Sequence, residues 1–82
     1  MTARTATFFA IYFRLRCPSG RTVRKYLARD GGFTEKLTRR WLTPSKPDAT
    51  HRAARCTELD GEEWEVAEVR LTQDAEGRWN PA

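Results

Sequence analysis

Residues 5–17, "TATFFAIYFRLRC", alternate between apolar and polar side chains with the period of a β-strand. One set of alternate positions holds Phe9, Ile11, Phe13, Leu15 and Cys17, and the other holds Phe8, Ala10, Tyr12, Arg14 and Arg16. A helix would repeat its apolar side chains every three or four residues. The pattern therefore predicts a strand with one face against a core and the other towards solvent.

A turn and a returning strand are predicted after this segment. Pro18 and Ser19 precede Gly20, and this composition favours a tight turn because proline restricts φ and glycine accepts a positive φ. Residues 21–28, "RTVRKYLA", should then run antiparallel to the first strand as a hairpin. In that arrangement Arg24 and Tyr26 share the outer face with Tyr12, Arg14 and Arg16.

A short helix is predicted over residues 33–43, "FTEKLTRRWLT". Its apolar side chains Phe33, Leu37 and Trp41 are four residues apart, as on one helical face, and its basic side chains face elsewhere: Lys36, Arg39 and Arg40. Pro44 and Pro47 should end the helix. Because an isolated helix of this length is unstable in water, we expect it to pack on the first hairpin.

Residues 44–50, "PSKPDAT", are predicted to be a linker. Two alternatives remain for residues 49–58. The Asp60-Gly61 pair favours a second hairpin, because both central residues of its turn need a positive φ. The other interpretation is a helix over residues 49–58, capped by Asp48 and rich in alanine and arginine.

The last part of the chain is predicted to contain a strand from Glu62 and a short edge strand. Trp64 and Val66 occupy one set of alternate positions, and Val69 and Leu71 occupy the other, so a regular strand would place the two pairs on opposite faces. A bulge near Ala67 and Glu68 would turn all four towards the core. A turn at "DAEG" would then place Arg78 and Trp79 against the sheet.

These elements predict an α+β fold: an antiparallel sheet of four to five strands with one short helix on one face. The predicted order is β-β-α-β-β, with a short final strand as an option. The chain has 82 residues, which suits a single domain over 1–82. Its hydrophobic fraction of 39% provides core material despite 32% charged residues, and this favours a folded chain over a disordered one.

Charge is distributed unevenly along the chain. The net charge is +6 over residues 1–34, +4 over residues 35–57 and −6 over residues 58–82, which gives the overall +4. Such asymmetry between segments is typical of proteins that contact nucleic acid or that imitate its charge.

No pattern in the sequence predicts catalysis, a metal site or a cofactor. His51 has no cysteine or histidine at ligand spacing, and the glycines do not form a phosphate-binding loop. Alternating carboxylates such as Glu63 and Glu65 are typical of a solvated strand face. We therefore expect a non-enzymatic protein without a metal or cofactor.

The cysteine content and the hydropathy predict a cytoplasmic location. Cys17 and Cys56 are not in a Cys-x-x-Cys pair and fit free thiols in a reducing compartment, with an oxidised pair as the alternative. The apolar run over residues 6–13 is far too short to span a bilayer.

The predicted binding surface combines the outer face of the hairpin with the basic side of the predicted helix. Its members are Tyr12, Arg14, Arg16, Arg24, Tyr26, Lys36, Arg39 and Arg40. Cations interleaved with exposed aromatic rings suit a phosphate backbone and unstacked bases. The alternative is a solvated face whose charges pair with the acidic segment 62–68.

Two blocks of opposite charge, "RLRCPSGRTVRK" and "ELDGEEWEVAE", lie in one small chain without a catalytic constellation. In these respects the chain resembles the small phage-encoded inhibitors known as anti-CRISPR proteins. The resemblance is one of general type and assigns no residue a role. It implies a protein that binds a CRISPR effector complex and blocks target DNA, without a cofactor. We expect the chain to be a monomer or a homodimer.

The leading hypothesis from the sequence is therefore an inhibitor that binds a protein of the nucleic-acid-handling machinery through the predicted surface. The alternative is direct, sequence-tolerant binding of DNA or RNA by the same surface.

Overall fold

The computed structural model describes residues 4–81, in which five strands form one antiparallel sheet in the order β3-β2-β1-β4-β5. The strands are β1 (Arg4–Arg16), β2 (Thr22–Leu27), β3 (Phe33–Thr34), β4 (Glu65–Gln73) and β5 (Trp79–Pro81), and the helix is α1 (Lys46–Asp60). The predicted α+β class is confirmed. The order is β-β-β-α-β-β, which adds the short strand β3 to the predicted arrangement.

The predicted first hairpin is confirmed. β1 and β2 pair from Tyr12 opposite Tyr26 to Arg16 opposite Thr22. Gly20 closes the turn with φ 85° and donates its N–H to the Cys17 carbonyl at 2.9 Å. A positive φ of this kind is readily adopted by glycine, which has no Cβ.

The predicted helix over residues 33–43 is wrong. Phe33 and Thr34 extend the sheet as β3, and only Leu37–Arg39 form a single 3₁₀ turn. β2 pairs only with Tyr12–Arg16 of β1. On that side of β1, the backbone of Phe9 therefore has no partner in β2. Thr43 fills this place, because Phe9 donates its N–H to the Thr43 carbonyl at 2.7 Å and accepts from Thr43 at 3.0 Å. Pairing of otherwise unsatisfied backbone groups outweighs the helical spacing of the side chains.

The second hairpin and the linker over residues 44–50 are also wrong. The alternative helix is confirmed with wider bounds, but Asp48 lies in its first turn and is not its N-cap. α1 begins within the predicted linker, where the Ser45 hydroxyl accepts the Asp48 N–H at 3.3 Å as the N-cap. Pro47 lies in the first turn, where its missing N–H costs no helical hydrogen bond. Gly61 ends the helix with φ 76° and donates to the Thr57 carbonyl at 2.9 Å.

One face of the sheet packs on α1. Its buried cluster consists of Ile11, Phe13, Leu27, Ala49, Ala53 and Trp64. The two alanines allow the helix to lie close to the sheet. Trp64 also stabilises the C-terminal end of α1, because its indole Nε1 donates to an Asp60 carboxylate oxygen at 3.0 Å.

The predicted bulge in β4 is absent from the described strand, and this changes the sheet's second face. β4 pairs with β1 without interruption from Arg4 opposite Gln73 to Tyr12 opposite Glu65. Because side chains alternate, Val66 faces α1 whereas Val69 and Leu71 face the other side. There a second buried cluster forms around Ala10, Tyr12 and Tyr26, with Leu42, Ala67 and Val69 packed against it.

The predicted final turn and edge strand are confirmed. The Asp74 backbone N–H donates to the Arg78 carbonyl at 2.8 Å, and Trp79 of β5 pairs with Gln73 of β4. Cys17 and Cys56 are free and half-buried. Within residues 4–81, no helix has both the length and the apolar character needed to cross a membrane.

Candidate functional site

The candidate site is the face of the sheet opposite α1, here called the helix-free face. Strand alternation and the register place four cations on it, Arg4, Arg14, Arg16 and Arg24. The segment after β3 borders this face, because its backbone pairs with β1 at Phe9 beyond the end of β2. Leu42 packs against the second buried cluster, and Arg40 lies over the Tyr26 ring. Among the described strand residues, Glu65 is the carboxylate that shares this face.

Tyr12 and Tyr26 were predicted to be exposed, and this prediction is wrong. Their exposed fractions are 5% and 9%, and their ring centroids lie 5.6 Å apart. Arg24 covers Tyr12, with its guanidinium carbon 4.3 Å from the ring centroid. The two rings therefore support the cations of this face and are not open for stacking with a base.

The three predicted arginines of the hairpin are all exposed, but their charges are not equally free. Arg14 forms an ion pair with Glu65, Nε to Oε2, at 3.2 Å. Within residues 4–81, neither Arg16 nor Arg24 forms an ion pair. The Tyr12 hydroxyl, followed by the charge of Glu65, raises the pKa of Arg14, and the Tyr26 hydroxyl raises that of Arg24. Arg14 and Arg24 thus remain cationic.

The predicted grouping of Lys36, Arg39 and Arg40 on one helical face is wrong, because that helix does not form. Lys36 precedes the 3₁₀ turn, Arg39 lies within it, and both are exposed. Arg40 is only 8% exposed. Its Nε donates to the Leu37 carbonyl at 3.0 Å, and its guanidinium carbon lies 5.1 Å from the Tyr26 ring centroid.

A cleft of about 640 Å³ on the helix-free face contains residues that the sequence analysis missed. Its apolar wall includes Phe8, Leu42, Leu71 and Trp79, and its cations are Arg29, Arg40 and Arg78. The described lining contains no carboxylate. Phe8 lies on the same strand face as Tyr12, which the sequence alternation predicts. The cleft, however, combines five separate segments of the chain, and no local pattern indicates that they meet.

Two interactions hold the rim of the cleft. Trp79 meets Phe8 edge to face, with the ring centroids 5.3 Å apart, and is 37% exposed. Elsewhere in the lining, an Arg29 amino group donates to the Thr38 carbonyl at 3.0 Å. The cleft therefore presents an accessible aromatic ring and fixed guanidinium groups together.

Asp74 positions the residues that enter the cleft from β5. One of its oxygens accepts the N–H groups of Arg78 at 2.8 Å and Glu76 at 3.0 Å, and the other accepts from the Asn80 side chain at 3.0 Å. These bonds, with the Arg78 N–H first, hold the pKa of Asp74 below its usual range. The carboxylate stabilises the turn that precedes Trp79.

Among residues 4–81, the remaining titratable and nucleophilic side chains do not form a second candidate site. Across residues 4–81, no cluster of histidine, cysteine, aspartate or glutamate is placed to hold a metal ion. His51 lines a smaller, mainly basic cleft with Arg52 and Arg55. Burial, followed by the charge of Asp60, raises the pKa of Cys56, which keeps this thiol protonated and weakly nucleophilic at neutral pH.

Comparisons with protein-family models, with curated proteins and with solved structures find no match. Function is therefore inferred from the residues of this chain alone.

Proposed function

We propose that this protein is a non-enzymatic binding module that contacts nucleic acid through the helix-free face. The observation that supports this is the imbalance of charge on that face. Arg4, Arg14, Arg16 and Arg24 extend from its strands, whereas Glu65 is the carboxylate that the described strands add. Arginine side chains arranged in this way neutralise phosphates and release their counterions.

The surface has two parts that suit different parts of a nucleic-acid strand. The hairpin end carries Arg16 and Arg24, exposed and without an ion-pair partner within residues 4–81. The cleft adds the partly exposed ring of Trp79. Phosphates at the hairpin and a base against Trp79 would combine electrostatic attraction with stacking, as single-strand-binding proteins do.

The test is binding of a fluorescent single-stranded oligonucleotide, followed by anisotropy from low to moderate salt. The double variant Arg16→Ala, Arg24→Ala should bind more weakly. Its slope of log affinity against log salt should fall by about 1.4, because each phosphate that is no longer neutralised reduces the slope by about 0.7. The matched control is Arg55→Ala with Arg70→Ala, which removes the same charge on the side of α1. Absence of binding at low salt would contradict direct binding. An equal weakening in the control would contradict the helix-free face as the contact surface.

A second candidate is an inhibitor of nucleic-acid-handling machinery, of the anti-CRISPR type. The supporting observation is an acidic end of the molecule. Leu59 is 76% exposed at the end of α1, and Glu58, Asp60, Glu62 and Glu63 surround it in the sequence. An apolar side chain among carboxylates suits a basic groove that otherwise holds DNA, because charge complementarity selects the partner and apolar contact adds affinity.

The inhibitor hypothesis is tested by target-DNA binding of a purified CRISPR effector complex with the chain added. Inhibition should disappear in the variant Glu62→Lys, Glu63→Lys and persist in Arg16→Ala, Arg24→Ala. If inhibition is instead lost in Arg16→Ala, Arg24→Ala and persists in Glu62→Lys, Glu63→Lys, the chain inhibits by binding the DNA itself. The absence of inhibition and of complex formation would remove this candidate.

For both candidates we place the protein in the cytoplasm. Nucleic acid is accessible there, and free thiols such as Cys17 and Cys56 are maintained in its reducing environment.

A further inference from the structure

Arg40 carries a charge that the described part of the protein does not neutralise. It is 8% exposed, and within residues 4–81 no carboxylate forms an ion pair with it. Its Nε donates to the Leu37 carbonyl, and its guanidinium lies over the Tyr26 ring. Because no described carboxylate neutralises it, the charge of Arg40 is available to an anion that comes from outside the protein.

The free donors of Arg40 face accessible space in the cleft. Its two terminal amino groups have no hydrogen-bond partner among the described residues, and yet no buried side-chain nitrogen there lacks a partner. Those amino groups therefore reach solvent, and Arg40 lines the cleft. Stacking on Tyr26 leaves the donors in the guanidinium plane free for an anion.

The rest of the cleft determines what kind of anion fits. Arg29 and Arg78 line it together with Arg40, and its lining has no carboxylate to compete. Three guanidinium groups suit a phosphate monoester better than a carboxylate, because the monoester has up to two charges and three terminal oxygens that can accept their hydrogen bonds. The partly exposed Trp79 lines the same cleft, and a base can stack on such a ring.

We infer that the cleft binds a nucleoside monophosphate unit, with the phosphate on Arg40, Arg29 and Arg78 and the base against Trp79. The unit is either a free nucleotide or the phosphorylated end of a strand. The volume of the cleft, about 640 Å³, lies within the usual range of small-molecule sites, about 300–1,000 Å³. The identification of a nucleoside rests on the proposed function, whereas the anion site rests on Arg40.

The experiment is an NMR titration of the full chain with four probes: adenosine 5′-monophosphate, adenosine, inorganic phosphate, and an acidic peptide that contains leucine. The monophosphate should shift the Trp79 indole and the Gly77 and Arg78 amides, and it should bind at least tenfold more tightly than adenosine or phosphate. Equal binding of adenosine and its monophosphate would overturn the role of the arginines. Stronger binding of the acidic peptide would overturn the ligand class.

Variants locate the site. Arg78→Ala removes an exposed cation and should weaken monophosphate binding about tenfold, the usual order for removing a hydrogen bond to a charged group. Arg55→Ala, on α1, is the matched control and should leave it unchanged. Arg40→Met should abolish binding, and circular dichroism checks its fold. If it unfolds, Arg78→Ala still decides, since equal affinity in Arg78→Ala and Arg55→Ala would overturn the site.

Oligonucleotides with and without a terminal phosphate identify the source of the unit. Tighter binding of the phosphorylated strand assigns the cleft to strand ends, whereas equal binding of both strands, with a shift by the monophosphate, assigns it to free nucleotides. If both strands bind through Arg16 and Arg24 while the monophosphate and the terminal phosphate have no effect, this inference fails and the proposed function remains. If the monophosphate binds and the strands do not, the proposed function fails instead.

Discussion

Arg14 and Glu65 form an ion pair across β1 and β4, with Nε and Oε2 3.2 Å apart, on the face that is otherwise cationic. Both side chains are substantially exposed, so the pair adds little to stability. Its larger effect is on binding, because Glu65 both repels phosphate and engages one of the cations that would bind it.

Glu65→Gln is therefore expected to strengthen single-stranded DNA binding. The change removes a repulsive carboxylate and frees Arg14, so the slope of log affinity against log salt should become steeper by about 0.7, as expected when one more phosphate is neutralised. Fluorescence anisotropy at several salt concentrations measures both effects. Glu63→Gln, with the same change of charge outside the strands, is the control. Unchanged binding in Glu65→Gln would show that nucleic acid does not reach this part of the face.

Substitution of Tyr12 is expected to lower the stability of the fold and not to remove a direct contact with nucleic acid. Since the ring is 5% exposed and packs between Tyr26 and Arg24, Tyr12→Ala should lower the free energy of unfolding by about 3 kcal/mol through loss of buried area and the resulting cavity. Urea denaturation measures this change. Tyr12→Phe keeps the packing and should cost less than about 1.5 kcal/mol. A stable Tyr12→Ala protein with impaired binding would instead support an exposed ring.

Ser45 tests the placement of α1 within the segment that the sequence presented as a linker. Ser45→Ala removes the acceptor for the Asp48 N–H and should reduce the free energy of unfolding by about 1 kcal/mol, the usual cost of losing an N-cap. Ser45→Asp restores an acceptor at the same position and should recover most of that stability. Thermal denaturation of the three proteins makes the comparison. Equal stability of all three would mean that the helix does not begin at this residue.

The turn before β5 should loosen at acidic pH. The folded-state pKa of Asp74 lies below its ordinary value of 3.8, because the carboxylate accepts hydrogen bonds from Arg78, Asn80 and Glu76. Its stabilising effect is therefore complete above that ordinary value and is lost as the pH falls through the lower, folded-state pKa. NMR shifts of the Glu76 and Arg78 amides should follow a midpoint below 3.8. A midpoint at or above this value would contradict the hydrogen-bonded turn.

Local patterns were sufficient for several parts of the fold. The alternation over residues 5–17 predicted β1, and the Pro-Ser-Gly turn predicted its pairing with β2, because both depend on neighbouring residues. The helix was harder to identify. Its buried stripe contains Ala49, Ala53 and half-buried Cys56, which contrast weakly with their polar neighbours, and Asp60-Gly61 suits a hairpin turn as well as a helix end.

The candidate site was predicted only in part. Arg14, Arg16 and Arg24 are on one face as expected from their parity, since strand alternation is a local property. Nothing local showed that Tyr12 and Tyr26 would be covered. Their burial depends on Leu42 and Arg40, which reach the sheet from a segment whose side-chain spacing resembles that of a helix.

The order of residues alone determined which side chains share a face of β1 and β2, where the first hairpin turns back, and that positive charge precedes negative charge. Tertiary structure decided that the second face would also become apolar, and it brought Arg29, Arg40 and Arg78 to one cleft. The physical reason is the backbone of Phe9, whose hydrogen-bonding groups lie beyond the reach of β2 and are paired by Thr43. That long-range pairing holds the segment that ends at Thr43 beside β1, beyond the end of β2, and no periodicity within the segment encodes it.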